Sequence, residues 1–160
     1  MSTYQDRLIK KFGNPMLNKA AFERKHMVLI ETDDYDISYP IIPKRLYLNK
    51  LLVLPLMETL HQLNERALIG EIKTWDGLYN VRYMRGSKSV LSRHSWGLAV
   101  DMNAAWNPLV SVTPQNRTVM RKKHVKWSEK FLNTWRNNGF ECGADWKDKL
   151  DGMHFEFIIT

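Results

Sequence analysis

The sequence has little cysteine and no long apolar run, and each shortage excludes a class of protein. Cys142 is the single cysteine among 160 residues, which rules out an internal disulfide and a cysteine-rich zinc site. No apolar stretch approaches the roughly 20 residues that a membrane-spanning helix needs. The opening segment, MSTYQDRLIKKFGNP, has basic residues but no apolar segment after them. We therefore expect no signal peptide and synthesis in a cytoplasm.

The chain also lacks internal repeats, low-complexity tracts and Gly/Ser linkers, so we expect residues 1–160 to form a single domain. Hydrophobic residues make up 44% and charged residues 26%, as in an ordinary globular protein. Acidic residues are the scarcer charged class, and the net charge is +7. This excess favours anionic partners such as an anionic cell envelope or nucleic acid. The densest basic run is RKKHVK, Arg121 to Lys126, which would equally suit a solvated loop or helix face.

Apolar periodicity predicts a mixture of helices and strands without a regular βαβ rhythm. We expect a helix over residues 49–67, in which Pro55 implies a kink or a later start and Asn49 is a candidate N-cap. Asp76-Gly77 is expected to form a tight turn. Two further helices are expected in TYQDRLIKKFG and SEKFLNTWRNNGF, and strands in HMVLIE, EIKTW, LAVDM and MHFEFII. The pattern predicts an α+β domain with a small, mostly antiparallel sheet and flanking helices.

Four residues in two short segments form a candidate catalytic metal site. His94 and Asp101 lie seven positions apart, a spacing that suits a turn at Gly97 followed by part of a strand. His154 lies in the last predicted strand. Two histidines and one carboxylate leave a fourth tetrahedral position open, as in catalytic zinc sites. Asp151, three residues before His154, is then the candidate general base for activating water.

Both segments resemble a known family. SRHSWGLAVD matches Ser-x-His-x-x-Gly-x-Ala-x-Asp, and DGMHFE matches Asp-x-x-His-x-Glu. Together they resemble the zinc peptidase superfamily that includes D-alanyl-D-alanine carboxypeptidases and dipeptidases, L-alanyl-D-glutamate endopeptidases and hedgehog N-terminal domains. The resemblance covers about residues 71–157, and the short chain is most similar to single-domain phage endolysins.

The resemblance implies a role for each motif residue. It makes His94, Asp101 and His154 the ligands of one Zn²⁺ per chain, and Asp151 the general base. The dipeptidase branch has glutamate at the base position, so Asp151 points toward the endopeptidases. The family also has an arginine upstream of the first histidine that holds the substrate carbonyl or carboxylate. Arg82 and Arg85 are the candidates here, with Arg82 favoured.

Other residues near the motifs have two readings each. Ser92 either hydrogen-bonds near the metal or caps the turn. Glu156, on the strand face of His154, either orients a metal ligand or is a surface carboxylate, and the first is favoured. Trp96 and Trp106 either line a substrate groove or, more commonly for tryptophan, belong to the core.

The resemblance implies an endolysin that hydrolyses the L-alanyl-D-glutamate bond of peptidoglycan and lyses bacterial cells. We expect a monomer without a separate cell-wall-binding domain. It would be made in the host cytoplasm and would act on peptidoglycan in the cell wall after release, with the basic surface attracted to the anionic envelope. A D-alanyl-D-alanine carboxypeptidase is the main alternative, followed by a non-catalytic zinc-binding module. A nucleic-acid binder has only the charge in its favour, because no recognition motif is present.

Overall fold

The computed structural model describes residues 1–160 and has the predicted α+β architecture. Its regular elements are, in chain order, α1 (Tyr4–Phe12), α2 (Lys19–His26), β1 (Met27–Glu31), β2 (Arg45–Asn49), α3 (Val53–Glu65), β3 (Trp75–Gly77), β4 (Ala99–Met102), β5 (Leu109–Ser111), α4 (Arg117–His124), α5 (Glu129–Asn137), β6 (Phe140–Cys142), β7 (Lys149–Asp151) and β8 (His154–Phe157). None of the five helices combines the length and apolar character that crossing a membrane requires.

The central sheet brings the two motifs together. Its four strands run in the order β3-β4-β8-β6, and every neighbouring pair is antiparallel. In the β4–β8 pair, Asp101 lies opposite His154 and Ala99 lies opposite Glu156. Residues directly opposite one another in an antiparallel pair project to the same face of the sheet. Asp101 and His154 therefore become neighbours although 53 positions separate them.

Two smaller antiparallel pairs flank this sheet. β1 pairs with β2, and β5 pairs with β7 in a register that sets Leu109 opposite Asp151. The β5–β7 pair thereby fixes the strand that ends at Asp151. Gly152 and Met153 form the turn into β8.

Helix α5 builds much of the aromatic core. Ser128 caps the helix by accepting a hydrogen bond from the Phe131 amide, and Phe131, Leu132 and Trp135 are buried at helical spacing. The Phe131 ring stacks on Trp127 with centroids 4.3 Å apart, and Trp135 lies 4.8 Å from Phe155 of β8. Burying a large apolar side chain contributes about 1.5–3 kcal/mol to the free energy of folding. This aromatic cluster therefore anchors β8 against helix α5.

Several predicted boundaries are wrong, for identifiable reasons. The helix expected over residues 49–67 spans Val53–Glu65, so the later start that Pro55 implied is confirmed. Pro55 lies in the first turn, where its missing N–H leaves no hydrogen bond unmade. Asn49 ends β2 and caps a 3₁₀ turn over Lys50–Leu52.

The strand predicted at EIKTW is also misplaced. The amides of Lys73 and Thr74 donate to the side-chain oxygen of Asn103, at 2.7 and 3.0 Å, and so are unavailable for strand pairing. Pairing starts at Trp75, and Asp76-Gly77 lies inside β3 next to a register shift instead of forming a tight turn.

Candidate metal centre

His94 lies in a tight turn that the sequence specifies locally. Arg93–Trp96 form a 3₁₀ turn, and the Ser92 hydroxyl caps it by accepting from the His94 amide at 3.4 Å. Gly97 ends the turn with φ +66°, a conformation that glycine adopts readily. A Cβ at Gly97 would also lie 2.8 Å from the Asn49 amide nitrogen. The turn therefore ends at Gly97, as predicted, and β4 begins two residues later.

One hydrogen bond orients the His94 ring. Its Nδ1 donates to the Leu78 carbonyl at 2.7 Å, because a carbonyl can only accept. The neutral ring then carries its lone pair on Nε2. That atom is buried without a hydrogen-bond partner and lies 3.1 Å from Asp101 Oδ2, outside hydrogen-bonding geometry. His94 Nε2 and Asp101 Oδ2 thus direct lone pairs toward a common point, as two ligands of one cation do.

His154 is held from its opposite edge. Its Nε2 lies 3.1 Å from Glu156 Oε1, and its Nδ1 lies 3.3 Å from Asp101 Oδ1. When the ring is neutral and Glu156 accepts from Nε2, the Nδ1 lone pair points toward Asp101 and the same point. The predicted role of Glu156 in orienting a ligand agrees with this contact, and its carboxylate is buried, not on the surface.

The three predicted ligands offer one atom each, and all three atoms lie within 4.8 Å of one another. Ligand atoms bound about 2.0–2.1 Å from a tetrahedral zinc are separated by about 3.3–3.4 Å. The 3.1 and 3.3 Å separations at Asp101 are close to that value. The set consists of two imidazole nitrogens and a carboxylate oxygen, and one of the nitrogens is buried without a hydrogen-bond partner. This set of ligand types fits a zinc ion.

The charge balance of the site also favours a cation. Burial acts to lower the pKa of His154, but hydrogen bonds to Asp101 and Glu156 outweigh burial and raise the pKa to about 9. Burial acts to raise the pKa of Asp101, yet the two histidines hold it well below its usual range. Asp101 and Glu156 thus favour a positive charge on His154, and a divalent cation could supply that positive charge in place of the proton.

Asp151 stands beside this set as a carboxylate without a partner. It ends β7 and lines the same cleft as Asp101 and His154. Its Oδ1 is buried and makes no hydrogen bond. Burial is the main cause that raises the pKa of Asp151. The backbone approaches closely here, because a Cβ on Gly143 would overlap the Asp151 carbonyl oxygen.

Comparison with known proteins finds one family that shares this part of the chain. The family model described as D-alanyl-D-alanine carboxypeptidase matches residues 85–157, which contain both motifs and all four residues above. Over these residues, less than half of the chain, the protein is similar to this zinc peptidase family. No curated protein and no solved structure matches the chain. The family is zinc-dependent, and the match supports a metallopeptidase that acts on peptidoglycan-like substrates.

The cleft beside this site has a volume of about 560 Å³, and five basic and four acidic side chains line it together with His154. Arg82 and Arg85 both line it, and neither forms a salt bridge with a carboxylate of the chain. Ser95 fixes the backbone at Arg82, since its hydroxyl accepts from the Arg82 amide and donates to the Arg82 carbonyl. The family match begins at Arg85. Both arginines therefore lie at the cleft, although only Arg85 lies within the matched segment.

Sequence reasoning missed Arg93. Its Nε lies 3.5 Å from Glu156 Oε2, so a chain of contacts runs from Arg93 through Glu156 to His154. The guanidinium also lies 4.9 Å from the Tyr4 ring centroid. The sequence does contain a signal for it, because Arg93 precedes His94 and Glu156 follows His154 by two positions. No local pattern could have paired it with Tyr4.

The two tryptophans proposed as groove residues lie elsewhere. Trp96 is fully buried and donates to the Gly13 carbonyl at 3.0 Å, so it belongs to the core. Trp106 is 48% exposed but does not line the metal cleft. Trp146 does line it, with its ring centroid 5.3 Å from that of His154.

Proposed function

We propose that this protein is an endolysin-type zinc peptidase that hydrolyses the L-alanyl-D-glutamate bond of the peptidoglycan stem peptide. The observation that carries the proposal is Asp151, an unpartnered carboxylate in the cleft beside the His94, Asp101 and His154 set. An intact base next to a metal site argues against a module that binds zinc only for partner recognition.

His94, Asp101 and His154 would hold the zinc through Nε2, a carboxylate oxygen and Nδ1. Zinc bound there supplies a Lewis acid that polarises the scissile carbonyl and makes water more acidic. Asp151 Oδ1 takes the proton of the attacking water and delivers it to the nitrogen of the leaving amine. Burial raises the pKa of Asp151, which makes its carboxylate a stronger base toward the attacking water. Arg82 or Arg85 holds the substrate carbonyl or carboxylate.

Mass spectrometry of muropeptides released from purified peptidoglycan tests the bond specificity. Cleavage of the L-alanyl-D-glutamate bond frees peptides that begin with D-glutamate and leaves L-alanine on the glycan. A D-alanyl-D-alanine carboxypeptidase, the second candidate because the matching model bears that description, removes only a terminal D-alanine. Products shortened by one D-alanine, without free D-glutamyl peptides, would replace the first function with the second.

We further propose that helix α4 attracts the protein to the anionic cell envelope. Lys122 and Lys123 are exposed on it. Arg121 is not available in the same way, because it donates to the Ala144 carbonyl at 3.1 Å and to Glu129 at 3.0 Å. Lys122 and Lys123 therefore present unpaired charge on this helix.

Co-sedimentation with permeabilised cells tests the envelope proposal. Replacing Lys122 and Lys123 with glutamine should weaken binding at physiological salt, where charges are screened over about 8 Å. The same double replacement at the exposed Lys25 and Lys44 is the matched control for net charge. Equal weakening by both pairs would show that only the total charge matters.

A further inference from the structure

Helix α1 forms one wall of the cleft although it lies outside the segment that matches the family. Tyr4 and Arg7 are cleft-lining residues, whereas the match spans residues 85–157. Tyr4 and Arg7 lie three positions apart, and so they share one side of a helix. The cleft of this chain is therefore partly built by residues that the family motifs do not include.

Several hydrogen bonds fix α1 against the motif-bearing half of the chain. Gln5 donates to the Ser89 carbonyl at 3.1 Å and accepts from the Leu91 amide at 2.7 Å, just before Ser92. The Tyr4 hydroxyl accepts from the Ile159 amide at 3.1 Å. Thr3 and Asp6 form a capping box that closes the helix start. Helix α1 is therefore fixed both to the segment before Ser92 and to the C-terminal segment, and a helix fixed in this way can position a side chain for binding.

Arg7 presents an uncompensated positive charge from this wall. Its guanidinium lies 5.3 Å from the Tyr4 ring centroid, and no carboxylate lies within salt-bridge distance of it. Arg93, which approaches the same ring, is by contrast paired with Glu156. An arginine packed on an aromatic ring keeps its donor edges free for a planar anion.

We propose that Arg7 binds a free carboxylate of the stem peptide and thereby determines substrate specificity. This inference rests on the proposed function, since it is that substrate which supplies the carboxylate. A γ-linked D-glutamyl peptide carries two such groups, the α-carboxylate of glutamate and the carboxylate at the peptide's C-terminus. Guanidinium binds a carboxylate through two parallel hydrogen bonds, which a carboxamide cannot reproduce with the same charge.

The test combines replacement of Arg7 with amidation of the ligand. The zinc-loaded protein is titrated by calorimetry with γ-D-glutamyl-L-lysine in three forms: both carboxylates free, the glutamyl α-carboxylate amidated, and the C-terminal carboxylate amidated. Arg7→Gln should weaken binding of the free peptide by about 10–100-fold, the range for a hydrogen bond between charged groups. Arg7→Lys should recover part of the loss. Lys10→Gln is the control, because Lys10 is exposed on α1 but does not line the cleft.

One amidated peptide should bind to Arg7→Gln and to the wild type with the same affinity. The carboxylate amidated in that peptide is the one that Arg7 binds. In kinetics with L-alanyl-γ-D-glutamyl-L-lysine, Arg7→Gln should raise KM and leave kcat within about twofold, as expected for lost uniform binding. Equal affinity of Arg7→Gln and wild type, or equal weakening toward all three peptides, would overturn the proposal. Binding that depends on Arg7, without cleavage of the L-alanyl-D-glutamate bond, would overturn the proposed function and leave the subsite standing.

Discussion

Asp151 combines three properties that rarely coincide in a carboxylate: its Oδ1 is buried, its side chain makes no hydrogen bond, and it lies in a cleft with the candidate metal ligands. An unpaired buried carboxylate oxygen carries a desolvation penalty that a purely structural residue would have no reason to keep. At the residue scale, this is the strongest sign that the site performs chemistry.

Asp151→Asn should keep the fold and the bound zinc but lose most of the activity. The change removes the proton acceptor and preserves the shape, and a general base contributes about 10²–10⁴-fold in rate. Elemental analysis and hydrolysis of purified peptidoglycan measure the two properties, with His154→Ala as the control that should lose zinc. Near-full activity in Asp151→Asn would assign the base to another group, and zinc loss would make Asp151 a ligand.

Glu156→Gln should weaken zinc binding by about 10–100-fold, the usual effect of removing a group that orients a ligand. The replacement removes the charge that pairs with Arg93 and holds His154 Nε2. Competition with a chromogenic chelator measures the affinity. Glu141→Gln is the matched control, because Glu141 also lines the cleft but accepts only from Trp146, at 2.7 Å. Equal zinc affinities in the two variants would mean that Glu156 does not support His154.

The candidate ligands could be chosen from the sequence because each lies in a short segment whose residue types and spacing are themselves chemical. The surrounding cleft could not be. Arg93 meets Tyr4 across 89 positions, and nothing local in either segment indicates the other. Contacts of this kind arise only once the sheet register and the docking of α1 are known.

At the scale of elements, the close approach of Gly143 to β7 controls where Asp151 stands. Gly143→Ala should destabilise the protein by about 1–3 kcal/mol, the typical effect of overpacking a tight contact. It should also lower activity, since a Cβ there would displace the Asp151 backbone. Urea unfolding and peptidoglycan hydrolysis measure the two effects. Gly70→Ala is the control, because a Cβ at Gly70 meets nothing within 4 Å; matching behaviour of the two variants would contradict this role.

Elements with a buried face and a cap were predictable, and those whose amides bond elsewhere were not. Helix α5 has both signals, an N-cap at Ser128 and buried residues at helical spacing. Helix α4 has no buried residue, and α2 buries only Phe22, so neither produces an apolar stripe. The start of β3 depends on Asn103, whose side chain takes the amides of Lys73 and Thr74.

At the scale of the whole molecule, an ion-pair network ties α5 to the loop before β7. Arg136 contacts Asp145 at 2.7 Å and Glu129 at 3.1 Å. Burial acts to raise the pKa of Asp145, but Arg136 outweighs burial and the net pKa is lowered. The pKa of Glu129 is lowered mainly by its hydrogen bond to Arg136.

Lowered carboxylate pKa values make the stabilisation by Arg136 dependent on pH. Such groups stabilise the fold above their unfolded-state pKa, and the contribution disappears as pH falls through the folded-state pKa. The free energy of unfolding in urea should therefore differ between wild type and Arg136→Met at pH 7, and the difference should shrink in acid. Lys130→Met on the same helix, which forms no salt bridge, should show no such trend. A gap that stays constant with pH would mean that Arg136 stabilises by packing alone.

Burial has a practical consequence at Cys142, which closes β6. The thiol is fully buried, and burial raises its pKa to about 12. Thiol-directed reagents attack the thiolate, which is scarce at neutral pH under these conditions. A cysteine introduced at an exposed position such as Lys10 would then be the one reactive thiol. Fluorophores or spin labels could be attached there without first removing the native cysteine.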